Sequence, residues 1–117
     1  DKDGFLFLTD RKKDMIISGG ENIASSEIER ILYQMEEVME AAIIGVPDTQ
    51  WGEQVVAFIV PKPGVKIDFY MVNTHCRAHL AGFKSPKELH IVDALPRNPS
   101  GKVLKRILRD QLVSKNI

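Results

Sequence analysis

The chain has 117 residues, and its sixteen Lys and Arg residues balance its sixteen Asp and Glu residues, so the formal net charge at pH 7 is zero. This length fits one domain with a single modest core and is small for a complete enzyme that acts on two substrates. The balanced charge argues against a dedicated nucleic-acid-binding protein, because such proteins normally carry a clear basic excess.

Cysteine content and terminal composition give expectations about compartment and organisation. Cys76 is the single cysteine, so no internal disulfide can form, and we expect a reducing, cytoplasmic setting. No apolar run approaches the length of a membrane span, and the opening Asp-Lys-Asp-Gly does not resemble a signal peptide. Because the chain also begins without methionine, we interpret residues 1–117 as one domain of a longer protein.

The first half of the chain predicts a hairpin, a helix and two strands. Phe5–Leu8 is a short apolar strand that could pair with Met15–Ile17 across a charged turn. From Ser26 to about Met35 apolar residues recur at helical spacing, and a serine at the start is a candidate cap. Residues 38–46 and 54–60 are largely apolar stretches, which predict buried strands.

The second half predicts two further helices and a third strand. Residues 67–80 have a weaker helical pattern with Asp68 near the start, residues 89–92 predict a strand, and residues 103–112 predict an amphipathic terminal helix. Helices and strands interleave, so the predicted class is α+β. We expect a small central sheet of about three strands, flanked by helices and preceded by a short N-terminal β-hairpin.

The sequence holds no pattern typical of a complete active site. It has no Ser/His/Asp set and no GxxxxGK[ST] phosphate loop. His75 and His79 lie four residues apart on a predicted helix, a spacing that superficially suits a metal ion. Since no acidic or cysteine partner follows at a matching spacing, we interpret both as ordinary surface or core histidines.

The motif Pro-Arg-Asn-Pro-Ser-Gly-Lys at residues 96–102 is the most informative stretch of the chain. Two prolines and a Ser-Gly pair cannot continue a helix or strand, so the motif predicts a constrained loop. The loop presents Lys102 just before the terminal amphipathic run, where its ammonium suits an oxyanion or phosphate. By itself, this lysine would more simply be a solvated residue at a helix start.

A second motif makes the functional interpretation stronger. Residues 10–23 combine a charged cluster, a short apolar strand and a glycine pair. In this order and at this separation, the two motifs resemble the C-terminal domain of the adenylate-forming enzymes, which include acyl-CoA synthetases, peptide-synthetase adenylation domains and luciferases. The resemblance extends over about residues 4–112. The segment Gly-Gly-Glu-Asn-Ile is most similar to fatty-acid-type and benzoate-type CoA ligases.

The resemblance implies a two-step reaction. In this family a large N-terminal domain binds ATP and a carboxylic acid, with Mg²⁺ expected to accompany ATP without binding to the small domain. The small domain closes in one orientation to form acyl-adenylate and pyrophosphate, and in another to deliver the thiol of CoA. Lys102 matches the catalytic lysine of the first step, which would stabilise the anionic transition state and orient the carboxylate.

Residues near the start of the chain match a hinge and a ligand tunnel in the family. Lys13 matches the hinge position, near residues 10–14, and Arg11 matches an arginine that approaches the nucleotide. The stretch that faces the pantetheine arm of CoA is matched by Gly19, Gly20, Glu21 and Asn22. Glycines there let backbone approach a slender ligand, although a plain turn would also use glycine.

Two later segments match contacts to the nucleotide part of CoA. Trp51 matches a tryptophan that stacks on adenine, although a lone loop tryptophan more often covers the core. Phe83 matches another CoA contact, and Lys84 and Lys87 could meet its phosphates. Ser85 stands where a relative has a phosphate-binding arginine, which removes one charged contact.

Two alternatives remain open from the sequence. The acyl group could pass to the pantetheine of a carrier protein instead of CoA, although Trp51 and Phe83 favour CoA because a carrier protein has no adenine. The chain could also be a non-catalytic α+β binding module. In either ligase interpretation residues 1–117 alone are expected to be inactive, and the acid is unspecified because its pocket belongs to the N-terminal domain.

Overall fold

The computed structural model describes residues 15–50, 52–80 and 84–115. These ranges contain five strands and three helices. The strands are β1 (Met15–Ser18), β2 (Glu21–Ala24), β3 (Val38–Asp48), β4 (Gly52–Pro61) and β5 (Glu88–Ile91). The helices are α1 (Ser25–Leu32), α2 (Phe69–His79) and α3 (Lys105–Lys115).

The five strands form one mixed sheet around the long antiparallel pair β3–β4. One edge of β4 pairs with β3 from Asp48–Gly52 to Val38–Pro61. Its other edge pairs with β1 at Ser18–Gly52 and, further along, with the parallel strand β5. β2 continues the sheet beyond β1, so β2 and β3 lie on opposite sides of β4.

Helices cover both faces of the central strands. Val55, Ala57 and Ile59 point into a core cluster with α1 and α2, whereas Val56, Phe58 and Val60 point into a second cluster with α3. All six side chains of this run are buried. A strand that is covered on both faces has no polar face, which explains why residues 55–60 form an apolar run without alternation.

The structure confirms the α+β class and enlarges the predicted sheet. The turn between β1 and β2 consists of Gly19 and Gly20, at φ +60° and +85°. Two-residue hairpins of type I′ require positive φ at both central positions, which glycine adopts without steric cost. Across this turn, β1, which contains Met15–Ile17, pairs with β2. The predicted partner, Phe5–Leu8, lies outside the described residues.

The polar residues at the starts of α1 and α2 have different roles. Asp68 caps α2, where its carboxylate accepts the Met71 N–H at 2.9 Å. The predicted serine cap of α1 is wrong, because the N-cap is Ala24 and no side chain caps this helix. The Ser25 hydroxyl instead accepts a hydrogen bond from Lys105 Nζ at 3.0 Å, so the serine ties α1 to α3.

Ser85 is a polar residue in an apolar position. Its side chain is 2% exposed, and within the described ranges its hydroxyl finds no hydrogen-bond partner. An unsatisfied buried hydroxyl carries a desolvation cost that alanine lacks. We expect Ser85→Ala to raise the free energy of unfolding by about 1 kcal/mol in urea denaturation. A loss of stability would show that the hydroxyl is satisfied in solution.

Cys76 lies in the cluster between the sheet and α2, fully buried. Desolvation raises the pKa of its thiol to about 11. Because the thiolate is the reactive species, we expect iodoacetamide to modify native Cys76 at pH 8 far more slowly than the urea-unfolded chain. A rate equal to that of the unfolded chain would contradict the packing of α2.

The raised pKa of Cys76 also determines whether this thiol makes the fold more or less stable as the pH rises. The folded state holds the thiol proton more tightly than the unfolded state does. This contribution to stability is therefore complete below pH 9.0, the ordinary pKa of the thiol, and is lost as the pH rises through about 11.

Candidate functional site

The loop at residues 96–102, which we name the lysine loop, is a tight hairpin. The Gly101 N–H donates to the Asn98 carbonyl at 2.9 Å, and the Asn98 N–H donates to the Lys102 carbonyl at 2.9 Å. Arg97 and Val103 form an antiparallel bridge at its base. Gly101 has φ +91°, a conformation that favours glycine. The predicted constrained loop is confirmed.

The side chain of Asn98 organises the tip of this hairpin. Its Oδ1 accepts the Ser100 N–H at 3.1 Å, the Ser100 hydroxyl at 2.8 Å and the Lys102 N–H at 2.9 Å. Asparagine at the first turn position and proline at the second are both preferred in type I turns. The loop therefore satisfies its own backbone and keeps its shape while exposed.

Arg97 connects the lysine loop to the sheet. Its Nη1 donates to the Gly101 carbonyl at 2.6 Å, and its Nη2 pairs with the carboxylate of Glu40 on β3. The hydrogen bond to Glu40 raises the pKa of the Arg97 guanidinium. Arg97 therefore links the backbone next to Lys102 to Glu40 on β3.

The outer edge of β3 lies beside the lysine loop, and helix side chains cover it. Hydrogen bonds satisfy its backbone at three alternate residues: Tyr33 with Ala41 (3.1 and 3.3 Å), Glu29 with Ile43 (2.9 Å) and Arg109 with Gly45 (3.0 Å). Covering an edge in this way prevents another strand from adding to the sheet. It also places α1 and α3 on either side of an open cleft.

This cleft, of about 510 Å³, is lined by α1, the β3 edge, the lysine loop and the start of α3. Among the described residues, Glu29 is the one acidic residue that lines the cleft, and it pairs with Lys105 at 2.8 Å. The basic lining residues are Arg97, Lys102, Lys105, Arg106 and Arg109. A surface with this excess of positive charge suits an anionic ligand such as a phosphate group.

The glycine turn lies away from this cleft. Gly19 and Gly20 connect β1 to β2, on the side of β4 opposite to β3, and Glu21 and Asn22 are exposed on β2. Among the described residues, no atom would lie within 4 Å of a Cβ at Gly20, whereas its positive φ does favour glycine. The glycine turn and the lysine loop therefore lie toward opposite edges of one sheet.

The residues matched to CoA contacts are only partly described. Lys84 pairs with Glu27 of α1 at 2.9 Å, and Lys87 is exposed. Ser85 is buried, so its hydroxyl does not face a ligand surface. Four residues matched by resemblance lie outside the described ranges: Arg11, Lys13, Trp51 and Phe83.

The two helix histidines have backbone partners. His75 Nε2 lies 2.9 Å from the Ile31 carbonyl, and His79 Nδ1 lies 3.0 Å from the His75 carbonyl. In the described part of the chain, no cluster of three or more His, Cys, Asp or Glu residues is placed to hold a metal ion. No helix in the same ranges is long and apolar enough to cross a membrane.

Sequence reasoning missed the residues that hold the lysine loop and the β3 edge. Arg97 and Glu40 are 57 positions apart, so no local pattern joins them. One signal was present, because Glu40 places a charge inside the otherwise apolar run 38–46. A charged residue there indicates a strand position with an ionic partner.

Known proteins match most of the chain. A 2-succinylbenzoate–CoA ligase from Geobacillus sp. is 45% identical over 116 residues, 99% of this chain and 23% of the relative. A fatty acid–[acyl-carrier-protein] ligase from Streptomyces coeruleorubidus is 45% identical over 111 residues, 95% of this chain and 21% of the relative. The structure of a Mycobacterium tuberculosis fatty acyl CoA synthetase has a TM-score of 0.82 at 42% identity, covering 88% of this chain and 20% of that one.

The chain thus spans between a fifth and a quarter of the length of these proteins. Residues 27–102, which reach from α1 to the lysine of the lysine loop, match the family described as the AMP-binding enzyme C-terminal domain. This matched stretch contains β3, β4, α2 and β5, and it ends before α3 begins. The chain belongs to the AMP-binding enzyme C-terminal domain family.

Proposed function

We propose that this chain is the C-terminal domain of an ATP-dependent carboxylic acid–CoA ligase and works with an N-terminal domain that binds ATP and the acid. The complete enzyme would form acyl-AMP and pyrophosphate, and then acyl-CoA and AMP. The observation that carries the proposal is the exposed Lys102, held on a rigid hairpin beside a basic cleft. The names of the CoA ligase relatives support it.

Lys102 would act in the first step. A carboxylate oxygen attacks the α-phosphorus of ATP, pyrophosphate leaves, and negative charge gathers between two anions that repel each other. An ammonium placed there stabilises the transition state and orients the carboxylate without giving up a proton. Mg²⁺ would accompany ATP, and the described residues offer it no ligand cluster of their own.

The glycine turn would act in the second step. Thioester formation does not need the Lys102 charge but needs a path for pantetheine, to which we assign Gly19, Gly20, Glu21 and Asn22. These residues lie on the sheet edge opposite to the Lys102 cleft. One domain can then serve both steps by rotating about a hinge near residues 10–14, where we place Lys13, while Arg11 approaches the nucleotide.

CoA itself would contact residues from two loops. We assign adenine stacking to Trp51, a further contact to Phe83, and phosphate contacts to Lys84 and Lys87. Lys84 already pairs with Glu27, so a CoA phosphate would compete with that carboxylate. The free, buried Cys76 fits a reducing compartment such as the cytoplasm.

The first test separates the two half-reactions in the full-length protein. We expect Lys102→Ala to slow acyl-adenylate formation by on the order of 10²–10³-fold, the usual cost of removing one group that stabilises an anionic transition state. Thioester formation from supplied acyl-adenylate should change much less. Pyrophosphate release and acyl-CoA formation measure the two steps.

Lys66→Ala provides a matched control, because Lys66 is another exposed lysine, located in the segment before α2. It should leave both steps unchanged. Equal damage to both half-reactions in Lys102→Ala would assign Lys102 a structural role and contradict the proposal.

A second candidate function is the loading of a carrier protein. The fatty acid–[acyl-carrier-protein] ligase of 45% identity favours it, since this relative is as similar as the CoA ligase named above. Both acceptors present the same pantetheine thiol, so the glycine turn serves either one. The acceptors differ at the adenine of CoA, which a carrier protein lacks.

Trp51 discriminates between the two acceptors. If it stacks on adenine, Trp51→Ala should raise the KM for CoA through the loss of roughly 1–3 kcal/mol of stacking, by analogy with base stacking on aromatic residues. Adenylation should be spared, and Trp51→Phe should retain part of the affinity. An unchanged KM for CoA with a lowered melting temperature would make Trp51 a core residue and favour the carrier protein.

A further inference from the structure

The peptide unit between Gly101 and Lys102 is held at both of its polar groups. Its carbonyl oxygen, from Gly101, accepts a hydrogen bond from Arg97 Nη1 at 2.6 Å. Its N–H, from Lys102, donates to Asn98 Oδ1 at 2.9 Å. The next carbonyl, that of Lys102, accepts the Asn98 N–H at 2.9 Å. The orientation of the peptide plane that precedes the Lys102 side chain is therefore fixed within the hairpin.

Glu40 fixes the hairpin in turn against the sheet. The guanidinium that holds the Gly101 carbonyl also pairs with Glu40. Glu40 lies on β3, where it pairs in register with Val60 of β4. The register of the ladder shifts between Val38 and Glu40, and on the other side of Glu40 the regular pairing continues through the buried Ala41. Strand β3 therefore connects, through the side chains of Glu40 and Arg97, to the backbone next to Lys102.

A lysine side chain needs such a connection because it is long and flexible. Its ammonium is a point charge on a four-carbon stem that loses rotamer freedom when it is placed. Catalysis by positioning falls steeply when a group is displaced by about 1 Å. We propose that Arg97 and Glu40 are positioning residues that orient Lys102 for adenylate formation. This inference rests on the function proposed above for Lys102.

Two other roles for Arg97 predict different effects of replacing Glu40. If Arg97 contacted the nucleotide directly as a charge, neutralising Glu40 would release the guanidinium and would leave adenylation unchanged or faster. If the pair only stabilised the fold, both half-reactions would fall together with the melting temperature. Only the positioning role requires Glu40→Gln to slow adenylation while thioester formation and the melting temperature stay constant.

The experiment compares Glu40→Gln, Arg97→Lys, Lys102→Ala and the control Glu36→Gln in the full-length protein. Glu36 is an exposed glutamate on the turn after α1. We expect Glu40→Gln to lower kcat for adenylation about 10-fold, with KM for ATP unchanged, as suits the loss of one partly exposed charged hydrogen bond. Arg97→Lys should lower kcat for adenylation to a similar extent. A lysine ammonium lacks the planar guanidinium geometry with which Arg97 contacts both the Gly101 carbonyl and the Glu40 carboxylate.

Hydrogen–deuterium exchange gives a readout that does not depend on activity. Amides of residues 97–104 should exchange faster in Glu40→Gln than in Glu36→Gln, whereas those of β4 should be unchanged. Slower adenylation together with faster loop exchange supports the inference.

The other outcomes separate the inference from the function on which it rests. If Lys102→Ala loses adenylation selectively but Glu40→Gln behaves like Glu36→Gln, the positioning role is overturned and the proposed function stands. Equal loss of both half-reactions in Glu40→Gln also overturns it. If Lys102→Ala shows no selective loss, the proposed function fails and the catalytic role of the pair fails with it.

Discussion

The antiparallel pairing of β3 with β4, buried on both faces, is the constraint on which the rest of the structure depends. Side chains of β4 alternate between two apolar clusters, one under α1 and α2 and the other under α3. Because both faces of these central strands are covered, the described sheet can contribute to a ligand surface through its edges, turns and ends. The lysine loop, beside β3, and the glycine turn, beyond β1, occupy such places.

The outer edge of β3 links this scaffold to the candidate site. Its exposed backbone groups are satisfied by Tyr33, Glu29 and Arg109. These side chains bring α1 and α3 together around the basic cleft, and the ion pair between Lys105 and Glu29 joins the two helices directly. The contacts that protect the edge from strand addition therefore also shape the surface that we assign to adenylation.

Patterns in the sequence predicted those elements whose signals come from residues close together along the chain. The apolar runs predicted β3 and β4, and Asp68 predicted the start of α2. β2 was not predicted, because Glu-Asn-Ile-Ala has one buried apolar residue, Ile23, and an edge strand depends on backbone pairing. Gly19 and Gly20 did carry a type I′ hairpin signal. The Arg97–Glu40 contact joins distant segments, so only the folded chain shows it.

The central claim is that opposite edges of one small domain serve successive steps of a reaction. It is tested most directly by crystal structures of the full-length protein with ATP alone and with an acyl-adenylate analogue plus CoA. We expect the Lys102 ammonium to contact the phosphates in the first complex, and the Gly19–Gly20 turn to face pantetheine in the second after rotation of the domain. A structure in which Lys102 faces solvent in both complexes would contradict the account.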